Sequence, residues 1–275
     1  MSDTDPALLT VSSIHVYPVK ACGGIALTQA EVTRTGFRHD RQWMFVDDRG
    51  MFVAQRDSRG LGIAIKSVCL VRTAIADGVL TLTAPSMPAL NVSLRASGVE
   101  LPVTIWDDTI TGIDQGDEAE AWASELLSRE RPGRYRFVRM PDAVHRAAKI
   151  GAAEVGFGDA YPFLVISEAS LADLNARLSE PLPMNRFRPN IVLAGGSAYR
   201  EDQLDHFRIG AIDFHGTTLC LRCPTTTTNQ ATAERGKEPL RTLATYRKRP
   251  DGVVFGRNFN HSGTGSVKVG DAIEF

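Results

Sequence analysis

The sequence has 275 residues and a formal net charge of -1, with 43% hydrophobic and 23% charged residues. This length and composition suit a globular protein with one large or two modest domains. The near-neutral charge gives no reason to expect nucleic acid or a membrane surface as a partner. No apolar run approaches the roughly 20 residues that a membrane span needs.

The N-terminus and the cysteines indicate the compartment. Residues 1–6 are acidic and polar and lack the charged and apolar segments of a signal peptide. Four cysteines, two of them close together, are typical of a reducing compartment rather than of a disulfide framework. We therefore expect the protein in the cytoplasm.

The first half of the chain contains short apolar runs separated by turn residues. Residues 9–16 predict a strand. Three hairpins are predicted, at residues 42–54 with the turn Asp47 to Gly50, at residues 77–83 from Asp77-Gly78, and at residues 103–112 around Asp107-Asp108. Repeated hairpins favour an antiparallel sheet or barrel.

A helix and a break follow this β-rich region. Acidic residues open the helix at residue 117, and Ala119, Trp122 and Leu126 fall on one apolar face. Charge, Pro and Gly at residues 129–134 then end it. We expect a domain boundary here, with residues 1–130 forming an antiparallel β-barrel-like domain and residues 131–275 a second domain.

The second half predicts strands and helices in succession. Residues 161–166 form a buried-strand run, and Ser167 is a good N-cap for a helix that carries Leu171, Leu174 and Leu178. Pro239 suits the start of a further short helix, and residues 267–273 close the chain as a strand. The predicted class is α+β, mainly β, with flanking helices.

Two arginines precede the strand at residues 191–193. Arg186 and Arg188 lie two positions apart, so on an extended segment they would point the same way, a geometry suited to phosphate. A solvated strand start explains the same residues equally simply.

The most reactive chemistry lies at Cys220-Leu221-Arg222-Cys223, which Pro224 and four threonines follow. A thiolate is a soft metal ligand, a neighbouring guanidinium lowers the thiol pKa, and hydroxyls can donate to an anionic cofactor. The segment therefore indicates a metal-cofactor site. The alternative is that both cysteines are small apolar residues at the end of the strand at residues 216–219.

Other uses of the two thiols are less well supported. A structural zinc site needs a second ligand pair, but Cys22 and Cys69 are isolated and the histidines are scattered. A thioredoxin-like pair should open a helix, which Pro224 and the threonines disfavour. A cysteine protease would need a partner such as His215 or His261, and no known nucleophile signature surrounds Cys223.

Seven segments in order resemble the MOSC-domain family, and more closely its mitochondrial amidoxime-reducing components and the bacterial relatives that reduce N-hydroxylated bases. The likeness runs from about Ile14 to Phe275. The segments are Tyr17-Pro18-Val19-Lys20, Asp40-Arg41-Gln42-Trp43, residues 162–174, residues 187–192, Cys220-Leu221-Arg222-Cys223, Lys237-Glu238-Pro239-Leu240 and residues 267–271.

The resemblance implies a molybdenum-cofactor enzyme, in which residues 1–130 form the N-terminal β-barrel domain and residues 131–275 a second β-barrel domain that binds the cofactor. In such proteins the second cysteine of the pair binds the metal, which points to Cys223, with Cys220 as an auxiliary thiol. The other residues implied at the cofactor are Lys20, Arg41 and Arg188 for its phosphate and pterin, Arg222 between the thiols, and Asp159, Asn190 and Asn258 as polar contacts. Each has an ordinary alternative, as a sheet-edge charge, a turn residue or a loop former.

The implied reaction is reduction of an N-hydroxylated small molecule by oxygen-atom transfer, with Cys223 and Asp159 as catalytic residues. Electrons would come from a separate ferredoxin, flavodoxin or cytochrome-type protein and its reductase, since the chain lacks four cysteines spaced for a plant-type cluster. Two other functions stay open: a carrier of sulfur or of the cofactor that uses Cys223 without catalysis, and a non-enzymatic thiol-rich binding protein.

Overall fold

The computed structural model describes residues 8–56, 60–95 and 97–275. The prediction about residues 1–6 lies outside these ranges. The described residues form the strands β1 (Thr10–Val16), β2 (Ile25–Leu27), β3 (Gln29–Thr33), β4 (Gly36–Phe37), β5 (Trp43–Asp47), β6 (Val53–Ala54), β7 (Ile63–Ala64), β8 (Arg72–Ala76), β9 (Val79–Thr83), β10 (Leu90–Ser93), β11 (Glu100–Ile105), β12 (Asp108–Asp114), β13 (Tyr135–Arg139), β14 (Phe163–Ser167), β15 (Ile191–Ala194), β16 (His206–Ile209), β17 (Ile212–Leu221), β18 (Lys248–Arg249), β19 (Gly252–Ser262) and β20 (Gly265–Lys268).

Helices are few. The α-helices are α1 (Asp117–Ser128), α2 (Glu168–Asn175) and α3 (Leu240–Tyr246), and 3-10 turns lie at Lys66–Leu70, Met184–Arg186, Arg200–Gln203 and Pro224–Thr227. The predicted class, α+β and mainly β, is confirmed. No helix in the described ranges is long and apolar enough to cross a membrane.

The largest sheet has the order β16-β17-β19-β14-β15-β1-β2, with β18 paired to β19. Its one parallel pair is β14 with β15, and α2 supplies the crossover that a parallel pair needs. Every residue of β14 is buried because the sheet is covered on both faces. Phe163 and Val165 pack into one core, and Leu164 and Ile166 pack into another with residues of α2 and α3.

Smaller sheets surround this one. Their orders are β10-β9-β8, β11-β12-β13-β5, β20-β3-β4 and β6-β7. A separate core joins β5, β9, β10 and the apolar face of α1. In it the rings of Trp122 and Phe45 stack with their centres 6.2 Å apart. Sheets join the two halves of the chain, since β1 pairs with β15 and β5 pairs with β13. The division at residue 130 stays a prediction.

Local signals predicted several elements well. Ser167 caps α2 by accepting a hydrogen bond from Ser170 N, and acidic residues open α1. The helix from Ser167 is shorter than expected, because it ends at Asn175 before Leu178. Pro239 is the N-cap of α3 rather than its first residue.

Two of the three hairpins need correction. The turn between β11 and β12 is Trp106-Asp107, because Ile105 pairs directly with Asp108. The hairpin at residues 42–54 is reduced to one bridge between Val46 and Phe52, and the next residues pair in parallel with β7 instead. The hairpin of β8 and β9 around Asp77-Gly78 is as predicted.

Candidate cofactor site

One cavity of about 670 Å³ lies where β14, β17 and β19 meet loops from the first half of the chain. All eight residues predicted at the cofactor line it. They are Lys20, Arg41, Asp159, Arg188, Asn190, Arg222, Cys223 and Asn258. The structure therefore brings together residues from positions 20 to 258 of the chain.

Lys20 and Asp159 form one wall. Lys20 is 6% exposed, and its Nζ donates to Phe157 O at 3.0 Å and to Asp159 Oδ1 at 2.5 Å. Burial lowers the pKa of Lys20, and the Asp159 carboxylate opposes that shift. Burial would raise the pKa of Asp159, but Lys20 outweighs it and the pKa falls to about 2. Since the carboxylate is 64% exposed, water screens part of this effect.

Arg146 holds the backbone behind this wall, and sequence reasoning missed it. Its guanidinium is 6% exposed and donates to Gly156 O at 3.1 Å, to Gly158 O at 2.6 Å and to Asp159 O at 3.3 Å. Its Nε also bonds Asp108 at 2.7 Å. With Lys20 on Phe157 O, two cations bind four successive carbonyls, so this loop is fixed before any ligand arrives.

Arg41 is held by an acid and an amide. Its Nη1 donates to Asp40 Oδ2 at 2.5 Å and to Asn190 Oδ1 at 3.0 Å. Burial opposes the charge of Arg41, but Asp40 reverses the effect and raises its pKa. The Asn190 amide also accepts from Leu164 N and donates to His15 O, both at 3.3 Å. Asn190 therefore orients Arg41, and its direct contact with a cofactor stays a prediction.

The Tyr17 ring supports two arginines of the cavity lining, Arg41 and Arg188. Its ring centre lies 4.5 Å from the Arg41 guanidinium carbon and 4.2 Å from that of Arg188. The hydroxyl donates to Pro189 O at 3.1 Å, and burial raises the pKa of Tyr17 to about 12. Arg188 also donates to Cys22 O, and burial together with Arg41 lowers its pKa.

The expectation that Arg186 and Arg188 point the same way is wrong. Arg186 lies in a 3-10 turn, and Arg188 has a left-handed φ of 58°. The segment is therefore not extended. Arg186 is buried away from the cavity and donates to Thr226 O at 3.4 Å, whereas Arg188 lines the cavity.

The thiols lie at the end of β17 and just after it, and both are partly exposed; Cys220 also packs against the core of Leu164, Ile166 and residues of α2 and α3. Arg222 donates to Cys220 Sγ at 2.9 Å and to Phe187 O at 2.7 Å. The Arg222 guanidinium, which was expected to act on both thiols, is therefore hydrogen-bonded to Cys220. Burial raises the pKa of the Cys220 thiol, and Arg222 only partly opposes this. Cys223 is the N-cap of the next 3-10 turn.

The threonine run differs from expectation. Only Thr225 lines the cavity. Thr226 and Thr227 donate to the carbonyls of Cys223 and Pro224 at 3.0 and 2.8 Å. Thr228 accepts from Arg235 at 3.3 Å. The hydroxyl protons of Thr226 and Thr227 therefore stabilise the turn that carries Cys223 and are not free to bind an anion.

Asn258 completes the predicted set. It lies in β19, and its amide donates to Thr218 Oγ1 at 3.2 Å across to β17. Further lining residues that sequence reasoning missed are Arg56, Trp106, Lys149, Tyr161, Arg249 and Asp251. Arg249 lies in β18 and the other five lie outside the strands and helices, and the sequence carried no signal that assigned any of them to the site.

Backbone conformation also marks this cavity. Nine non-glycine residues in the described ranges have positive φ, and four of them line it. The four are Ala21, Arg41, Trp106 and Arg188. Such conformations are costly and concentrate where a side chain must be aimed at a ligand.

The lining suits an anionic cofactor. Five of its basic residues, Lys20, Arg41, Arg56, Arg188 and Arg222, are buried or half-buried, and the lining has only two acids, Asp159 and Asp251, although the whole chain carries a net charge of -1. Arg222 Nε is a buried donor with no hydrogen-bond partner among the described residues. The Cys223 thiol provides a soft ligand in the same wall. No three His, Cys, Asp or Glu side chains in the described ranges are arranged to hold a metal ion by themselves.

Comparison with known proteins agrees along the chain. Residues 8–130 match the model of the MOSC N-terminal beta barrel domain, and residues 152–274 match that of the MOSC domain. Mitochondrial amidoxime-reducing component 1 of Mus musculus is 33% identical over 294 residues, which cover 96% of this chain and 81% of the relative. Mitochondrial amidoxime reducing component 2 of Bos taurus is 33% identical over 96% of this chain and 82% of its own length.

Among solved structures, the solution structure of a Bordetella bronchiseptica protein matches 40% of this chain and 85% of its own, at 19% identity and a TM-score of 0.30. That likeness is too slight to support an argument. The two domain models and the relatives that match 96% of this chain do support one. They show that the chain belongs to the MOSC-domain family.

Proposed function

We propose that this protein is a molybdenum-cofactor-dependent reductase of N-hydroxylated compounds such as amidoximes, hydroxylamines and N-hydroxylated nucleobases. The observation that carries the proposal is the convergence on one cationic cavity of the Cys223 thiol and the basic side chains of Lys20, Arg41 and Arg188. Relatives named for amidoxime reduction, 33% identical along nearly the whole chain, support the same chemistry.

The residues have separate roles in this proposal. The thiolate of Cys223 would bind the metal, and the three basic side chains would neutralise the phosphate and pterin. The unpartnered Nε of Arg222 adds a donor, and Asn258 a polar contact. When bound, the cofactor supplies two-electron chemistry that removes the N-bound oxygen: R–NHOH with two electrons and two protons becomes R–NH₂ and water.

Proton supply is assigned to the Lys20–Asp159 pair. A proton donor works best when its pKa is near the working pH. Asp159, with a pKa of about 2, is a carboxylate at neutral pH, so it holds the Lys20 ammonium in place but has no proton of its own to give. The Lys20 ammonium, whose pKa burial lowers, is the better source of the proton, and solvent water returns that proton to it.

The electrons would come from a separate ferredoxin, flavodoxin or cytochrome-type protein with its reductase. The two cysteines outside the pair, Cys22 and Cys69, are both buried. They do not have the number or the spacing of ligands that an iron–sulfur cluster needs. A cytoplasmic location also stays a proposal, which rests on cysteine usage alone.

Turnover tests this function. Molybdenum-loaded protein is given benzamidoxime and reduced methyl viologen, and the amidine is measured. We expect turnover by the wild type, none by Cys223→Ser, and partial activity by Cys220→Ser as the matched control. A loaded wild type that forms no amidine would contradict the reductase and favour a carrier of sulfur or of the cofactor.

A further inference from the structure

The mouth of the cavity carries exposed apolar side chains. Six large hydrophobic residues in the described ranges are exposed, and two of them line this cavity: Ile150 at 50% and Leu221 at 51%. Ile150 precedes β14 and Leu221 ends β17, so the fold brings them to one opening from distant parts of the chain. Exposed apolar side chains around a cavity mouth can form the apolar centre of an interaction site.

Two exposed cations share the mouth. Lys149 and Arg249 both line the cavity. Neither side chain has a hydrogen bond or ion pair with any residue in the described ranges. Several exposed arginines elsewhere are paired, as Arg38 is with Glu31 and Arg208 with Glu274. The charges at the mouth are therefore uncompensated.

These side chains stand on fixed backbone. Ile150 O accepts a hydrogen bond from Asn260 Nδ2 at 2.6 Å. Arg249 lies in β18, which forms a tight hairpin with β19, and Leu221 pairs with Val254 of the same strand. The mouth is thus a preformed surface, which we call the rim and define as Lys149, Ile150, Leu221 and Arg249.

We propose that the rim is the docking surface for an electron-donating protein with an acidic patch around an apolar centre. This inference rests on the proposed function, because it identifies where the reductant meets the same cavity. Complexes for electron transfer are small, below about 1,200 Å² in total, so a few exposed side chains make up a large part of such a contact. Uncompensated charges steer such encounters, and the aliphatic pair supplies the dry contact.

A small substrate is a poorer match for the rim. A substrate must reach the interior, where Lys20, Arg41 and Arg188 already provide charge. The rim residues are exposed on the outside of the opening, where a protein surface can touch them together. The cavity lining contains two acids, Asp159 and Asp251, and Asp159 is already paired with Lys20.

The test compares two electron sources on one molybdenum-loaded protein with benzamidoxime as substrate. An acidic [2Fe–2S] ferredoxin with its NADPH-dependent reductase provides the protein-dependent rate, and reduced methyl viologen provides the rate without docking. Reversing both charges in Lys149→Glu/Arg249→Glu should lower kcat/KM for ferredoxin by about 10-fold or more at low ionic strength, and less at high ionic strength. The viologen-driven rate should stay within about 2-fold of wild type, because no steering is required.

Matched controls lie away from the cavity. Lys268→Glu reverses an exposed lysine that does not line it. Ile150→Ser, which removes one of the two apolar rim side chains, should lower the ferredoxin-driven rate, and Val269→Ser is its control, since Val269 is 44% exposed. Neither control should alter the ferredoxin-driven rate. Ferredoxin binding can also be measured by titration, without turnover. The affinity should be lower for the Lys149→Glu/Arg249→Glu variant than for wild type, and unchanged for the two controls.

The remaining outcomes overturn the docking proposal. It fails if the double variant keeps its ferredoxin rate, or if the viologen rate falls equally, because the residues would then act on substrate or cofactor. It also fails if wild type works with viologen but accepts electrons from neither ferredoxin, flavodoxin nor cytochrome b5. A wild type that is inactive with viologen refutes the proposed function instead, and the ferredoxin titration still decides whether the rim binds an acidic protein.

Discussion

The two walls of the cavity differ in how completely their polar groups are paired. On the wall of Lys20 and Asp159, two cations bind the carbonyls of residues 156–159, and Arg41 has both an acid and an amide as partners. On the thiol wall, the cysteines are partly exposed and Arg222 Nε has no partner among the described residues. On the first wall protein partners already hold the cations in position, and on the second a thiol and an N–H donor are left for a ligand.

The largest effect should come from breaking the paired wall at Arg146. Arg146→Met removes one buried cation and leaves three carbonyls and Asp108 without their donor. We expect the free energy of unfolding to fall by about 3 kcal/mol. Chemical denaturation measures this. Arg134→Met, which removes a mostly exposed partner of Glu120, should cost less than about 1 kcal/mol, and equal losses would show that the wall is not specially supported.

Tyr17 separates ring support from hydrogen bonding on the same wall. Tyr17→Phe loses only the bond to Pro189 O and should cost about 1 kcal/mol. Tyr17→Leu also loses the ring beneath Arg41 and Arg188 and should cost about 2 kcal/mol or more. Thermal unfolding of the two variants tests the difference. If they were equally stable, the ring would contribute nothing to holding the guanidinium groups.

On the thiol wall we expect a small loss of stability but a large loss of bound molybdenum. Arg222→Met loses bonds to Phe187 O and Cys220 Sγ and should lower the free energy of unfolding by only about 1 kcal/mol. Its molybdenum content, measured by mass spectrometry after expression in a host that makes the cofactor, should nevertheless fall well below that of wild type. A variant with full molybdenum content would remove Arg222 from the binding set.

The smallest effect concerns acid stability. The folded-state pKa of Asp159 is about 2, below its ordinary 3.8, so the pair with Lys20 stabilises the protein above about pH 4. That contribution is lost as the pH falls from about 4 to about 2. Asp159→Asn should therefore show a shallower decline of Tm over this window. An identical decline in both proteins would mean that the exposed carboxylate contributes nothing to folding.

Elements encoded locally could be predicted, and those set by distant contacts could not. Acidic residues and an apolar face sufficed for α1, and Ser167 marked the start of α2. The left-handed φ of Arg188 and the turn at Trp106-Asp107 depend on what each side chain meets across the cavity, and neither shows in a residue pattern.

The site follows the same division. The resemblance carried by seven segments pointed to eight residues, six of them within those segments, and all eight line one cavity. Arg146 was missed because its role consists of bonds to main-chain carbonyls, which leave no trace in sequence. The threonine hydroxyls were misjudged for a related reason: two of them bond back to their own turn, a choice that depends on the local fold.

The most direct test of the account is the molybdenum content of two single-cysteine variants. Wild type, Cys223→Ala and Cys220→Ala are expressed in a host that makes the cofactor, and bound molybdenum per chain is measured. The account predicts metal in wild type, loss of most of it in Cys223→Ala, and retention of most of it in Cys220→Ala, whose thiol is engaged by Arg222. A wild type without molybdenum, or a Cys223→Ala variant that holds as much as wild type, would contradict it.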